Sequence, residues 1–138
     1  MEKEYGSLRE KIRAEKIERA ERYKRFQTIW ERAVEVGHKV ATELCPTPMV
    51  VCNTQTNEQW HVSEGVCGFA SIHLTKGNTS FAHWAKKNAG FSKHYYGGLS
   101  LHISSFNQSM ERKEAFAQAA CEVLKSEGID CYASSRLD

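Results

Sequence analysis

Apolar residues recur every three or four positions through the first third of the chain, a spacing that predicts one long helix. Ser7 and Glu10 fit a capping box, in which the serine caps the helix start and the glutamate three residues later accepts a hydrogen bond from the backbone N–H of the serine. Because proline disfavours helical geometry in the residue before it, Pro46 predicts that the helix ends near Leu44. The apolar positions of this helix are Leu8, Ile12, Ile17, Ala20, Tyr23, Phe26, Ile29, Trp30 and Ala33.

The predicted helix is long for the rest of the chain. Unbroken, it would measure roughly 55 Å, whereas the remaining residues, about ninety, form a globule only about 30–35 Å across. Part of the helix must then project, and its apolar stripe needs a cover. We expect a second copy of the chain to provide it, which makes a homo-oligomer. Packing of the helix back against the core is the alternative. We divide the chain into this helix (1–45) and a compact domain (46–138).

After the prolines, the apolar period changes from helical to alternating, which indicates strands. The pattern predicts a hairpin of strands at 49–53 and 59–62, and further strands at 69–75, 99–104 and 129–133. Helices at 79–89 and 110–127 are stopped by Gly90 and Gly128. The predicted fold class is α/β or α+β, with a small sheet of about five strands and helices on one face of it, preceded in the chain by a long N-terminal helix.

In the strands predicted at 69–75 and 99–104, apolar and polar residues alternate so regularly that each residue can be assigned to a face of the sheet. If each helix connects parallel strands, the apolar positions lie under the helices and the polar positions share the opposite face. Tyr132 and Ser134 of the last strand would join that polar face. Its other members are Ser71, His73, Thr75, Ser100, His102 and Ser104.

The polar face contains a repeated motif, His73-Leu74-Thr75 and His102-Ile103-Ser104. It resembles the paired histidine motifs of the two-histidine phosphoesterases. That resemblance implies a phosphodiesterase in which one histidine is the general base, the other the general acid, and Thr75 and Ser104 hold the phosphate. The two motifs are closer together than in that family, and the core is too short for its duplicated lobes. Two histidines on a half-exposed sheet face are the alternative.

Two other segments carry side chains that suit a phosphate. A turn before the strand at 99–104 combines basic, aromatic and glycine residues, and the start of the last helix offers backbone N–H groups that attract anions. Tyrosines that cover the core, and Ser109 as an ordinary helix cap, are the alternatives. Since the carboxyl ends of parallel strands meet, we predict one ligand site of Lys93, Tyr95, Tyr96, Gly97, Gly98, Asn107, Gln108, Ser109, Arg112, Lys113 and Arg136.

Composition narrows these possibilities only a little. Five cysteines without a C-x-x-C pair favour reduced thiols in a cytosolic protein. A zinc site of Cys52, His61, Cys67 and His73 lacks the tight spacing of such sites, and buried structural thiols are the better interpretation, so we expect no metal and no cofactor.

The net charge of +2 does not require a polyanionic partner. Residues 1–32 nevertheless hold ten Lys/Arg against seven Asp/Glu, a pattern typical of a solvated helix face and sometimes of a nucleic-acid-binding arm.

Five segments of the last seventy residues carry a second resemblance: Cys67-Gly68-Phe69-Ala70, Phe81-Ala82 to Lys86-Lys87, Tyr95-Tyr96-Gly97-Gly98, Asn107-Gln108-Ser109 with Arg112-Lys113, and Ser135-Arg136-Leu137-Asp138. Over this half of the chain the sequence resembles a family of small uncharacterised proteins of tailed bacteriophages. The resemblance implies a phage origin and action in a bacterial cytoplasm, away from membranes, but no chemistry.

We therefore expect a phage-encoded binding protein, rather than an enzyme, that holds a nucleotide or nucleic acid in a counter-defence or accessory DNA role. A phosphodiesterase that uses the paired histidines is the first alternative. The second is a protein that inhibits a host enzyme through its N-terminal helix.

Overall fold

The described part of the chain forms three helices and six strands. The computed structural model describes residues 8–46, 49–53, 55, 58–62, 65–94, 97–106 and 109–137. Along the chain the elements are α1 (Leu8–Glu43), β1 (Met49–Asn53), β2 (Glu58–Val62), β3 (Gly68–Leu74), α2 (Ser80–Asn88), β4 (Ser92–Lys93), β5 (Leu99–His102), α3 (Met110–Ser126) and β6 (Cys131–Leu137). Strands β1 and β2 pair as the predicted antiparallel hairpin.

The main sheet has four strands in the order β4-β5-β3-β6, and every neighbouring pair is antiparallel. The α+β class is therefore confirmed, with four strands in this sheet instead of about five. From β3 to β6 the chain follows a β-α-β-β-α-β path, the ferredoxin-like topology in which each helix connects two parallel strands with a third between them.

The expectation that β3 and β5 are parallel is wrong. After α2 the chain enters β4, a strand of two residues that is too short to leave an alternating pattern in the sequence. A hairpin then reverses the chain into β5, so β5 runs against β3. The reversal does not change which residues share a face, because directly paired residues of neighbouring strands point the same way.

One face of the sheet forms the hydrophobic core with the helices. Ile72 of β3 and Leu124 of α3 are completely buried, and α2 contributes Phe81 and Trp84. Helix α3 packs on β3 and β6, and α1 packs on α3. Gly37 permits that second contact, since a Cβ atom there would lie 2.9 Å from the backbone oxygen of Phe116.

Helix α1 divides into a packed part and a projecting part. Phe26, Ala33 and Ala41 are buried in the core, so this part folds back on the domain, which was the alternative to oligomerisation. Residues 8–21 are all exposed and extend over about 20 Å. A homo-oligomer stays a prediction. Within the described part of the chain, no helix is long and apolar enough to cross a membrane.

Candidate functional site

A groove of about 370 Å³ lies on the sheet face that the helices leave open. This volume falls within the range of small-molecule sites. None of the described residues that line it is acidic, and most carry a ring, a hydroxyl group or a positive charge. They are Phe69, Ala70, Ser71, His73, His94, Ser100, His102, Ser134, Ser135 and Arg136. We call this set the histidine groove.

The strand register explains why these side chains meet. Ser71 of β3 pairs with His102 on one side and Ser134 on the other. Two residues further along β3, on the same face, His73 pairs with Ser100 and Tyr132. His73 and His102 are therefore diagonal neighbours on adjacent strands, an arrangement that separates two residues by about 7–8 Å. The predicted polar face is present, and its two histidines share it.

His73 forms the floor of the groove and is only 7% exposed. Its Nε2 atom lies 2.5 Å from the hydroxyl oxygen of Ser134. The Tyr132 ring stacks on its imidazole and the His94 ring meets it edge-on, both with ring centroids 4.7 Å apart. Burial, together with the nearby charges of His94 and His102, lowers the pKa of His73, so its imidazole is neutral at pH 7.

The second ring nitrogen of His73 is unusual. Its Nδ1 atom is buried and has no hydrogen-bond partner among the described residues. Leaving a buried polar atom unpaired costs about 1–3 kcal/mol, and such atoms are rare in native proteins. The floor of the groove therefore holds a neutral imidazole with unused hydrogen-bonding capacity.

His102 and Arg136 lie at the outer part of the groove. The Ser71 hydroxyl is 3.0 Å from Nδ1 of His102, which orients an otherwise exposed ring. The Arg136 guanidinium is exposed and lies over the Phe69 ring, 5.1 Å from its centroid. This stacking holds a fixed positive charge at the groove without neutralising it.

The two hydroxyl groups of the histidine motifs do not join the groove. Thr75 directly follows the last residue of β3, and Ser104 lies two residues after the last residue of β5. Since these strands are antiparallel, their last residues lie at opposite ends of the pair. The structure therefore brings His73 and His102 together, but it places Thr75 and Ser104 too far apart to hold one phosphate between them.

The larger predicted ligand site is split between the two ends of the sheet. Ser109 forms a bridge with Cys67, just before β3, and Arg136 pairs with Phe69 at that same end. Gly98 instead lies against Leu74, at the far end of β3. The corner predicted from parallel strand ends is therefore wrong as a single site.

Three residues of that prediction hold helix α3 in place. Ser109 is its N-cap, and its hydroxyl oxygen accepts a hydrogen bond from the backbone N–H of Arg112. The Arg112 guanidinium donates to the carbonyl oxygens of Ala41 and Thr42 at the end of α1, at 2.6 and 3.1 Å. Lys113 is buried, donates to the Gly68 carbonyl at 3.3 Å and lies near the Phe69 ring.

The predicted glycine turn connects β4 to β5. Gly97 and Gly98 both have positive φ values, and a Cβ atom on Gly98 would collide with the Leu74 carbonyl oxygen. Here glycine is required for the close approach of the turn to β3. Lys93 is exposed in β4 and does not line the groove. The predicted site residues Tyr95, Tyr96, Asn107 and Gln108 lie outside the described residues.

The cysteines divide by burial. Cys121 and Cys131 are buried, whereas Cys67 is exposed, so the interpretation of Cys67 as a buried structural thiol is wrong. The side chains of Cys52 and His61 lie outside the described part of the structure. Among the side chains that are described, no group of three histidine, cysteine, aspartate or glutamate residues is placed to hold a metal ion.

Sequence reasoning omitted seven lining residues from the predicted site: Phe69, Ala70, Ser71, His94, Ser100, Ser134 and Ser135. The alternating pattern already placed three of them, Ser71, Ser100 and Ser134, on the same face as the histidines. His94 could not be found in this way, because it follows a two-residue strand and reaches His73 only through the fold.

Comparisons of the chain with protein-family models, with curated proteins and with solved structures found no match. The resemblances to two-histidine phosphoesterases and to a bacteriophage family thus stay predictions.

Proposed function

We propose that the protein binds a phosphate-bearing ligand, a nucleotide or a nucleic-acid segment, in the histidine groove. The observation that carries this proposal is the lining itself, which presents imidazoles, hydroxyl groups and one guanidinium but no acid among the described residues. The guanidinium, together with hydroxyl and imidazole groups, can donate hydrogen bonds to an anion. Phosphate suits this lining because its oxygens accept several charge-assisted hydrogen bonds at once.

The two sides of a nucleotide match different parts of the groove. Arg136 supplies the permanent positive charge for a phosphate, and the exposed His102 lies on the neighbouring side of β3. Tyr132 stacks on His73 beside the groove; it is 47% exposed and could offer a ring face to a base, a contact worth about 1–3 kcal/mol in other proteins. His73, buried and neutral, contributes hydrogen bonding rather than charge.

The proposal is tested by incubating the purified protein with nucleotides, cyclic dinucleotides and short DNA and RNA oligomers. Each mixture is analysed by chromatography before and after the protein is denatured. A ligand that disappears and then returns intact identifies binding, and separate nucleotide and oligomer arms identify its source. If every compound stays free in solution, the proposal is wrong.

Variants then locate the binding site. We expect the double variant Arg136→Gln/His102→Ala to lose binding, because it removes the two exposed groups that face the phosphate. Lys87→Gln, which removes an exposed charge from α2, is the matched control and should bind normally. Equal binding by the wild type, the double variant and the control would mean that the ligand binds outside the groove.

Phosphodiester hydrolysis is a second candidate, because His73 and His102 lie diagonally across neighbouring strands. A neutral His73 could take the proton from an attacking water while a protonated His102 gives one to the leaving oxygen. The same chromatography distinguishes the two functions, since hydrolysis gives product peaks that binding does not. Activity that survives both His73→Ala and His102→Ala would exclude these residues as the acid and base.

A further inference from the structure

The projecting part of α1 carries an uneven charge. Residues 8–25 contain eight Lys/Arg and four Glu, a net charge of +4, while the whole chain has only +2. Residues 8–21 are exposed throughout, so none of these charges has a buried structural role there. The positive charge of the protein is thus concentrated on a rod that extends away from its core.

Four of these eight positive charges also fall on one side of the helix. Arg9, Arg13, Lys16 and Lys24 follow one another at spacings of four, three and eight residues, which places them on one side of a helix with 3.6 residues per turn. All four are exposed. The position between the last two, Ala20, is small, and Glu10, Glu15, Glu18 and Glu21 fall on other sides. We call these four residues the basic stripe.

A stripe of this kind fits one class of partner best. It runs for about 22 Å and contains no acid, so a second copy of the chain would bring like charges together. Leu8, Ile12 and Ile17 are exposed on this part of the helix, but they lie on both sides of the basic stripe and do not form the continuous apolar face that enters a lipid surface. Double-stranded DNA presents a phosphate about every 1.7 Å along its axis, which matches a straight row of cations.

We propose that the basic stripe of α1 binds the phosphate backbone of a nucleic-acid duplex without reading its sequence. Lysine and arginine side chains on an exposed helix reach phosphate oxygens and release condensed counterions, which drives such binding. This site is independent of the histidine groove, and neither proposal requires the other.

The test measures fluorescence anisotropy of a labelled 20-base-pair DNA duplex between 50 and 200 mM NaCl. Wild-type protein should bind with an affinity that falls steeply with salt. The variant Arg9→Gln/Arg13→Gln/Lys16→Gln should bind at least tenfold more weakly. The slope of log affinity against log salt should fall by about two to three, because each phosphate contact contributes about 0.9.

A matched variant separates the basic stripe from overall charge. Lys86→Gln/Lys87→Gln/Lys125→Gln also removes three exposed positive charges, but from α2 and α3, and it should keep most of the affinity. Circular dichroism checks that each variant keeps its helix content.

Two results would overturn the proposal: no duplex binding by the wild type, or equal weakening in the stripe variant and its matched control. Binding to vesicles that contain phosphatidylserine tests a lipid surface as the partner, and sedimentation of the protein alone tests a second copy of the chain. Stripe-dependent binding to vesicles, or stripe-dependent self-association, without duplex binding would also contradict it.

Discussion

The two faces of β3 differ in what they contribute to the protein. Ile72 and Leu74 point into the core between the sheet and the helices, where apolar burial stabilises the fold. Ser71 and His73, the residues between and beside them, are almost as well buried but are polar. The strand thus separates the apolar packing of the core from the polar groove that we propose as the binding site.

The largest effect should come from the helix face. Ile72→Ala removes a fully buried side chain and leaves a cavity, so we expect the free energy of unfolding to fall by about 2–5 kcal/mol. The neighbouring Ser71→Ala removes one hydrogen bond to a ring that is otherwise exposed and should cost about 0.5–1.5 kcal/mol. Urea denaturation measures both, and equal losses would mean that the two faces do not differ.

Substitutions in the glycine turn, where it meets the end of β3, should cause the next largest loss of stability. Gly97 and Gly98 share a positive φ, so alanine at either position carries backbone strain of about 1–2 kcal/mol. Only Gly98→Ala also forces a Cβ atom against Leu74, whereas the space around Gly97 is open. Thermal unfolding should therefore show a lower Tm for Gly98→Ala than for Gly97→Ala. The reverse order would contradict the described packing of this turn.

The open face should make stability depend on pH through His73. Its pKa in the folded protein lies below the ordinary value of 6.5, so the unfolded chain binds a proton more readily. As the pH falls through 6.5, unfolding therefore becomes more favourable, and above about pH 7.5 this contribution is constant. His73→Gln should reduce the loss of unfolding free energy between pH 7.5 and 5.5.

The exposed His83 of α2 provides the control for that measurement. His83→Gln should keep the wild-type pH dependence in urea denaturation. If His73→Gln and His83→Gln behave alike, His73 is not the group responsible.

The smallest effect on stability should come from Arg136, which is exposed at the groove. Arg136→Gln loses only its stacking on Phe69, so the free energy of unfolding should change by no more than about 0.5–1 kcal/mol. Its effect on ligand binding should be large by comparison. A variant that lost stability and binding together would mean that Arg136 supports the fold instead of the ligand.

Local patterns predicted much of this fold. The bounds of α3, the hairpin of β1 and β2, and the alternation of β3 and β5 follow from spacing, capping and period. The direction of β5 did not, because it depends on β4, which has only two residues. The polar face was nevertheless correct, since alternation within a strand does not depend on the direction of its neighbours.

The candidate site was predictable only where it depends on that alternation. His73 and His102 were found from their own strands, but Arg112 and Lys113 were misplaced as ligand residues. Their actual partners, the carbonyls of Ala41 and Gly68, are distant in sequence. A positive charge beside a helix start has the same sequence pattern whether it meets a phosphate or a backbone oxygen. Only the tertiary contacts distinguish these cases.

The packing of α1 on α3 has a consequence for how the chain is made. Phe26 contacts Phe81 and Trp84 of α2, and Gly37 lies against Phe116 of α3, so α1 cannot complete its packing until residues about 55 to 80 positions later have been synthesised. During that interval Phe26 and its neighbours are exposed, and contacts of such long sequence separation form slowly. Expression of this protein should therefore depend on chaperones that bind apolar segments during translation.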